Sequence, residues 1–435
     1  MTQRDRIENV IGRRVWDSRG RPTVEAEVVL ASGVRGRSIA PAGASTGINE
    51  AVDLRDGGRA FGGLGVDRAV SHVCTEIANA LGGMSVMDQA AIDRTLIELD
   101  GTSNKARLGG NATVAVSMAA LQAAAAARAM PLWRHLAEGD QPTLPMPMVQ
   151  IFGGGAHAGR RVDIQDFLVV PIGASTFDEA IAIAVRIYES AGRIMAEGGG
   201  LRGVADEGGW WPEFSSNSDA LDALLLAIER ADLTPGIDAA IAIDVAASQL
   251  RAGSGYRFAA ENREMSSGEL AEILMQWCRR YPIVSVEDPL AQDDDAGMRS
   301  FTALAGRHVQ IVGDDYLVTS ADRISAAAAD GACNAVLLKP NQAGTITETR
   351  AALDAARAAG WSSSIVSARS GETEDVTIVH LAVGWAAGQL KVGSCARSER
   401  TAKWNEALRI EEVLGNTAVL GRLPIRKPFW TRSTF

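Results

Sequence analysis

The sequence predicts an α/β fold: a barrel of repeated β/α units preceded by a smaller α+β domain. Three observations predict it. From about residue 146 onward, short apolar runs alternate with amphipathic helical segments of the length a β/α unit needs. Many of these runs end in a charged side chain: AAIAID at Asp244, YPIVSVEDP at Glu287, HVQIVGDDY at Asp314, ACNAVLLK at Lys339 and AGQLK at Lys391, while SSSIVS stops just before Arg369. Strands covered on both faces read as continuous apolar runs, and their C-terminal ends are where α/β barrels place their chemistry. Finally, 435 residues exceed one ordinary core, so two domains are expected, one of them a barrel of roughly 250 residues.

In chain order, residues 6 to 30 are rich in β-formers around the turn-like DSRGRP (Asp17 to Pro22) and predict a small antiparallel sheet. SIAPAGASTGINE follows, with Gly43 and Gly47 bracketing Ser45 and Thr46; such a small-residue loop, near 38–50, is a linker or a mobile lid over a site. From Asp67 to His135 the pattern is helical, Ala-rich and amphipathic, so the first domain is a sheet backed by helices. EGDQPTLP, from Glu138 to Pro145, reads as the linker, dividing the chain into 1–138 and 139–435. Strands are then expected near Met146 to Ile151 and Ile164 to Ile172, a helix from Thr176 to Ala196, a strand end at Val204 to Glu207, and a helix from Asn217 to Ala231 leading into the strand that ends at Asp244.

Composition limits the function. Acidic residues outnumber basic ones, 53 to 43, for a formal net charge of −10, which argues against nucleic acid or an anionic membrane as the main partner. Cys74, Cys278, Cys333 and Cys395 are scattered, with no CxxC pair and no histidines at zinc spacing, so they read as reduced thiols of a cytoplasmic protein. The N-terminal MTQRDRIENVIGRR lacks the apolar centre of a signal peptide, and the Ala-rich ATVAVSMAALQAAAAA is broken by polar residues, so no membrane span is expected.

Asp244, Glu287 and Asp314 are carboxylates on successive strand ends. Converging like charges are unfavourable unless a cation neutralises them, and hard oxygen donors without cysteine favour magnesium over zinc. Taken singly, each reads equally as a loop cap or salt-bridge partner. Lys339 and Lys391 end two further strands; a lysine in a barrel mouth near other cations gives up its proton readily enough to act as a base, or else pairs with the same acids. Glu207, in VADEGGWW, lies in a glycine-flanked turn, and His157, in FGGGAHAG, in a glycine-rich loop. Arg369 and Ser370, in SARSGETED, read as the start of a helix whose free N–H groups and guanidinium would hold a phosphate, or as a plain helix cap.

The blocks DSRGRPTVEAEV, GASTG, LGGNATVAVS, VDIQDF, DEGG, IDVAAS, SVEDP, VGDD, LLKPNQAGT, RSGETED and GQLKVGS, in that order and over nearly the whole chain, resemble the enolase family. The resemblance implies an enolase-type (β/α)8 barrel with an irregular antiparallel start, an N-terminal α+β capping domain, and a homodimer or larger homo-oligomer. It implies Mg2+ as cofactor, one ion on Asp244, Glu287 and Asp314 and a second, arriving with substrate, contacted by Ser45. The implied substrate is a small phosphorylated carboxylate, 2-phosphoglycerate or a close analogue, converted to an enolpyruvate product. Arg369 and Ser370 would hold its phosphate, Lys391 its carboxylate, with Gln165 and Ser45 among the contacts. Lys339 would take the proton beside the carboxylate, and Glu207 would assist departure of the hydroxyl.

Several positions depart from that pattern. Ala368 stands where the family carries histidine, and Asp166 where it carries glutamate, so the leaving-group end, shared with His157, is rebuilt. Arg160 and Arg161 follow His157, and Trp210 and Trp211 follow the DEGG motif. These changes are drift, or they make room for a second anionic substrate, as in an enolase paralogue of phosphonate-antibiotic pathways, carboxyphosphonoenolpyruvate synthase, a transferase that joins a cytidylyl-activated phosphonoformate to an enolpyruvyl unit. A third alternative, an inactive enolase scaffold kept for binding, is disfavoured because five buried charges that cost stability are retained.

Overall fold

β-Rich runs on either side of a polar turn build the first sheet. In the computed structural model, which describes residues 3–44, 47–137, 141–362, 364–423 and 429, β1 (Ile7–Trp16) pairs antiparallel with β2 (Pro22–Leu30), and β2 with β3 (Arg35–Ile39). Ser45 and the expected boundary at 138/139 lie outside the described residues. Asp17 closes the β1–β2 turn, its Oδ1 accepting the N–H groups of Arg19 at 2.8 Å and Arg21 at 2.9 Å. The Ala-rich segment is the helix Gly110–Ala127, buried on nearly every side. It packs so closely on the sheet that a Cβ on Gly36 would lie 2.2 Å from backbone atoms of Ala119 and Ala123. That close approach accounts for its small residues, and no helix among the described residues is long and apolar enough to cross a membrane.

The second half closes into a barrel. Among the described residues its strands are β4 (Met146–Gly153), β5 (Asp166–Val170), β6 (Ala240–Asp244), β10 (Ile283–Glu287), β11 (Gln310–Gly313), β12 (Ala335–Leu338), β13 (Ser364–Ser367) and β14 (Gly388–Gly393). A small antiparallel sheet of β7 (Arg251–Ala252), β8 (Gly255–Phe258) and β9 (Arg263–Met265) is inserted after β6. β5 runs antiparallel to both β4 and β6, and the other barrel pairs are parallel.

Two expectations are corrected. Val204 to Glu207 is not a barrel strand: Val204 makes only an isolated bridge to Trp210, and Glu207 sits on a loop. Gly203 and Gly208, at φ 118° and 89°, turn the run back on itself, and β5 already fills the place beside β4. Nor do Arg369 and Ser370 open a helix; the next one is Thr377–Gly384. The segment is instead held as a loop, Glu372 Oε1 accepting the Arg369 N–H at 3.0 Å and Oε2 the ammonium of Lys403, on the helix Ser398–Leu414, at 2.8 Å.

Strand alternation then places the chemistry. Met146, Met148, Leu168, Ala240, Ala242, Ala335, Leu337 and Ile365 fill the barrel interior, while Ile241, Ile243, Val336, Leu338, Val366 and Leu390 face the surrounding helices. Extending the inward rows by the period of two reaches Gln150, Asp244, Lys339, Ser367 and Lys391 at one end. Because β5 is reversed, its inward row reaches that same end at its first residue, Asp166, in register with Asp244.

Candidate active site

Neighbouring strands bring the acids together. Asp244 on β6 is in register with Glu287 on β10, and Glu287 with Val312 on β11, so Asp314 follows just beyond the adjacent strand. All three carboxylates are buried. Lys391 Nζ lies 2.9 Å from Asp244 Oδ2, 2.9 Å from Glu287 Oε2 and 3.1 Å from Asp166 Oδ2. Lys339 Nζ lies 2.5 Å from Asp314 Oδ2, whose partner oxygen accepts Gln342 Nε2 at 2.8 Å. Gln165 Nε2 donates to Asp244 Oδ2 at 3.0 Å.

Burial alone would lower the pKa of both lysines. Asp314 nevertheless holds Lys339 above its ordinary value, and Asp244, Glu287 and Asp166 hold Lys391 well above it. The nearest charges to both ammoniums are carboxylates, which favour their protonated forms. Burial, with repulsion from Asp244, pushes Glu287 well above the carboxylate range despite Lys391, and its Oε1 is buried without a hydrogen-bond partner. An orphaned carboxylate oxygen among converging hard donors fits a divalent cation.

Behind this group lies one that sequence reasoning missed. Carboxylate oxygens of Asp288, Asp314 and Asp315 come within 4.8 Å of one another. Asp288 accepts the N–H groups of Asp314 at 2.9 Å and Asp315 at 2.8 Å, which fixes the loop after β11. Burial and the charge of Asp314 push Asp315 up to about 7. The signal was present in the doubled acids of EDP and GDD.

Across the mouth, His157, Asp166 and Glu207 form a second cluster. His157 Nδ1 is 3.4 Å from Asp166 Oδ1, and Nε2 is 4.0 Å from Glu207 Oε1. Burial opposes charge on the imidazole, but Glu207 and Asp166 outweigh it and hold the His157 pKa above its ordinary value. Burial would likewise raise Asp166, yet Lys391 and His157 keep it well below the usual range. The Glu207 loop is tied to β14 by Ser394 N–H on the Glu207 carbonyl at 2.9 Å. A Cβ on Gly208 would lie 2.3 Å from the Ala396 carbonyl oxygen, so the turn needs glycine.

Arg369 and Ser370 line the same cavity as Lys339, Lys391, Glu207 and Ala368. The Arg369 guanidinium engages Glu50 twice, at 2.9 and 3.3 Å, and Asn341 Oδ1 at 3.0 Å. Glu50 comes from the first 50 residues, and no local spacing could reveal the pair. Fully buried Arg400 holds the carbonyls of Arg369, Ser370 and Val392 at 2.6–2.9 Å. Ala368 adds no polar group.

Arg160 and Arg161 are not brought to this cavity. Arg160 lines a separate one with Arg251 and Arg257. Arg161 pairs with Glu213 at 3.2 Å, its guanidinium 5.9 Å from the Trp211 ring. Trp210 stacks on Tyr188 at 4.6 Å and donates to the Tyr188 carbonyl, a packing role.

Comparison with known proteins agrees with this architecture. The family model described as "Enolase, N-terminal domain" matches residues 7–136, and "Enolase, C-terminal TIM barrel domain" matches residues 141–427. The protein described as "Enolase 1" of Desulfitobacterium hafniense (strain Y51) is 49% identical over 417 residues, covering 95% of each chain. A barrel with one reversed strand, a carboxylate–lysine cluster at its mouth and these matches over both halves lead to one conclusion: the chain belongs to the enolase family.

Proposed function

We propose that the protein is a magnesium-dependent hydro-lyase that converts 2-phosphoglycerate to phosphoenolpyruvate and water. The observation that carries this reading is the pair of buried lysines on Asp314 and on Asp244, Glu287 and Asp166, facing the His157–Glu207 cluster across one cavity. A proton beside a carboxylate is weakly acidic because its removal adds charge to an anion. Asp244, Glu287 and Asp314 would hold Mg2+, and Ser45 would contact a second ion on the resemblance alone; bound there, Mg2+ would supply positive charge that offsets this.

Lys339 takes the proton. Its amine nitrogen lies 2.5 Å from Asp314 Oδ2 and lines the cavity, where it would act as the base. Lys391 remains charged beside the substrate carboxylate. Arg369 and Ser370 hold the phosphate, while Gln165 orients Asp244 at the substrate's edge. The carbon–hydrogen electrons form the new double bond as the carbon–oxygen bond breaks. The departing hydroxyl takes its proton from Glu207, oriented by His157 and Asp166, since Ala368 offers none.

The alternative with a second, phosphonate substrate needs an anion-binding subsite opening on this cavity; Arg161 is engaged by Glu213 and Trp210 by Tyr188, Arg160 lines a separate cavity with Arg251 and Arg257, and the relative matched over 95% of the chain is described as an enolase, which favours the simpler reading. The boundary between domains falls, on this reading, at 138/139. Exposed Trp16 and Phe61, with Arg14 over both rings, support self-association as a homodimer or larger homo-oligomer, and four unpaired cysteines suit a cytoplasmic enzyme.

The test is turnover of 2-phosphoglycerate alone with Mg2+, expected at roughly 10 per second or more. Deuterium exchange beside the substrate carboxylate should vanish in Lys339→Ala and not return with added Mg2+. Exchange at the normal rate in that variant would exclude Lys339 as the base.

A further inference from the structure

Three segments distant in the chain meet at one buried guanidinium. Arg19, in the β1–β2 turn, has a side chain only 6% exposed. Its Nη2 donates to Asp17 Oδ2 at 3.1 Å and to the Ala42 carbonyl at 2.9 Å, and its Nη1 to Ser370 Oγ at 3.2 Å. Ala42 and Gly371 also exchange two backbone hydrogen bonds of 2.9 Å each. This isolated bridge joins the stretch running into residues 43 and 44 to the loop that carries Arg369 and Ser370. A Cβ on Gly371 would lie 2.3 Å from Asp17 Oδ2 and 2.4 Å from Arg19 Nη2, so glycine is what lets the guanidinium reach both sides. The turn also reaches two neighbouring segments, Ser18 N–H donating to the Glu372 carbonyl of the same loop at 2.7 Å, and Arg397 Nη2, just before the helix Ser398–Leu414, donating to the Ser18 carbonyl at 2.6 Å.

A buried cation is costly unless its donors are all met, and a planar fork of donors fixes its acceptors at set angles in a way an ammonium does not. We propose that Arg19 is a positioning residue that sets the spacing between Ala42 and Ser370 and so holds the phosphate-binding loop in register with the segment entering residues 43 and 44. The inference rests on the reading of Arg369 and Ser370 as phosphate ligands. Lys339 and Lys391 are placed by barrel strands and do not depend on it. Loss of the fork therefore weakens substrate binding and leaves the chemical step nearly intact.

The test uses the full chain with Arg19→Gln and Arg19→Lys. Hydrogen exchange read by mass spectrometry on peptides covering 40–44 and 369–373 should quicken about tenfold in both segments of Arg19→Gln. With 2-phosphoglycerate and Mg2+, KM should rise about tenfold while kcat stays within about threefold. Arg19→Lys, which keeps charge without the fork, should retain the raised KM; it also carries both readouts if Arg19→Gln does not fold. Unchanged exchange in either segment overturns the coupling, and so does a fall in kcat at constant KM, the mark of a merely structural role. If the unmodified protein does not turn over 2-phosphoglycerate, the reading of the phosphate loop fails, and the exchange measurement alone decides whether Arg19 couples the segments.

Discussion

Glu287 Oε1, buried and without a hydrogen-bond partner, is the most informative single atom in the protein. A carboxylate so placed, beside Asp244 and with its pKa driven up by burial and repulsion, is where a cation would relieve the repulsion of like charges on the proposed reading. Asp314→Asn, which keeps an oxygen donor but removes the negative charge, should lower Mg2+ affinity markedly in calorimetry; unchanged affinity would remove Asp314 from the ligand set. At this scale the sequence was legible wherever side-chain parity decides direction. Asp244, Glu287, Asp314, Lys339 and Lys391 all sit on or just beyond inward-facing rows, and an apolar run ending in a charge announces that. Glu50 on Arg369 and Arg19 on Ser370 were not legible, because each pair spans more than 300 positions and exists only after the two halves pack.

Among the elements, alternation and caps did most to set the fold, and the misread stretches show why local pattern has limits. Val204 to Glu207 has the composition of a strand end, but two glycines at positive φ fold it back. SARSGETED has the composition of a helix start, yet Glu372 is taken up by Lys403 and a loop amide. Where the local pattern and the packing agree, the element is secure. The helix Ser266 caps, Ser267–Arg280, carries a complete capping box with Glu269. Ser266→Ala should lower stability by about 0.5–2 kcal/mol in a denaturant titration and leave kcat and KM for 2-phosphoglycerate unchanged, because Ser266 and Glu269 are exposed on the outside of the barrel and the cap bonds run between these two residues. A change in KM would mean that the helix helps to position the mouth.

Across the whole molecule, the two halves are fastened by buried polar groups. Asp93 accepts from Ser117 Oγ at 2.6 Å and from the Thr347 N–H and hydroxyl at 2.8 and 2.6 Å, joining the first domain to a barrel helix. Burial raises its pKa despite these bonds. A folded-state pKa above the unfolded one means that this contribution to stability is complete below the unfolded value, about 3.9, and is lost as pH rises through the folded value. The stability of the natural protein relative to Asp93→Asn, which cannot titrate there, should therefore shrink as pH is raised from 4 to 7; a difference that grew with pH would reverse the assignment. Lys105 on Glu348 and Ser38 on Asp375 add further ties between the halves. The Glu50–Arg369 pair has one more consequence. A barrel made without the first 140 residues would lose the carboxylate that engages the Arg369 guanidinium twice, so the two pieces should behave as halves of one site: each silent toward 2-phosphoglycerate alone, and active when co-expressed as separate polypeptides.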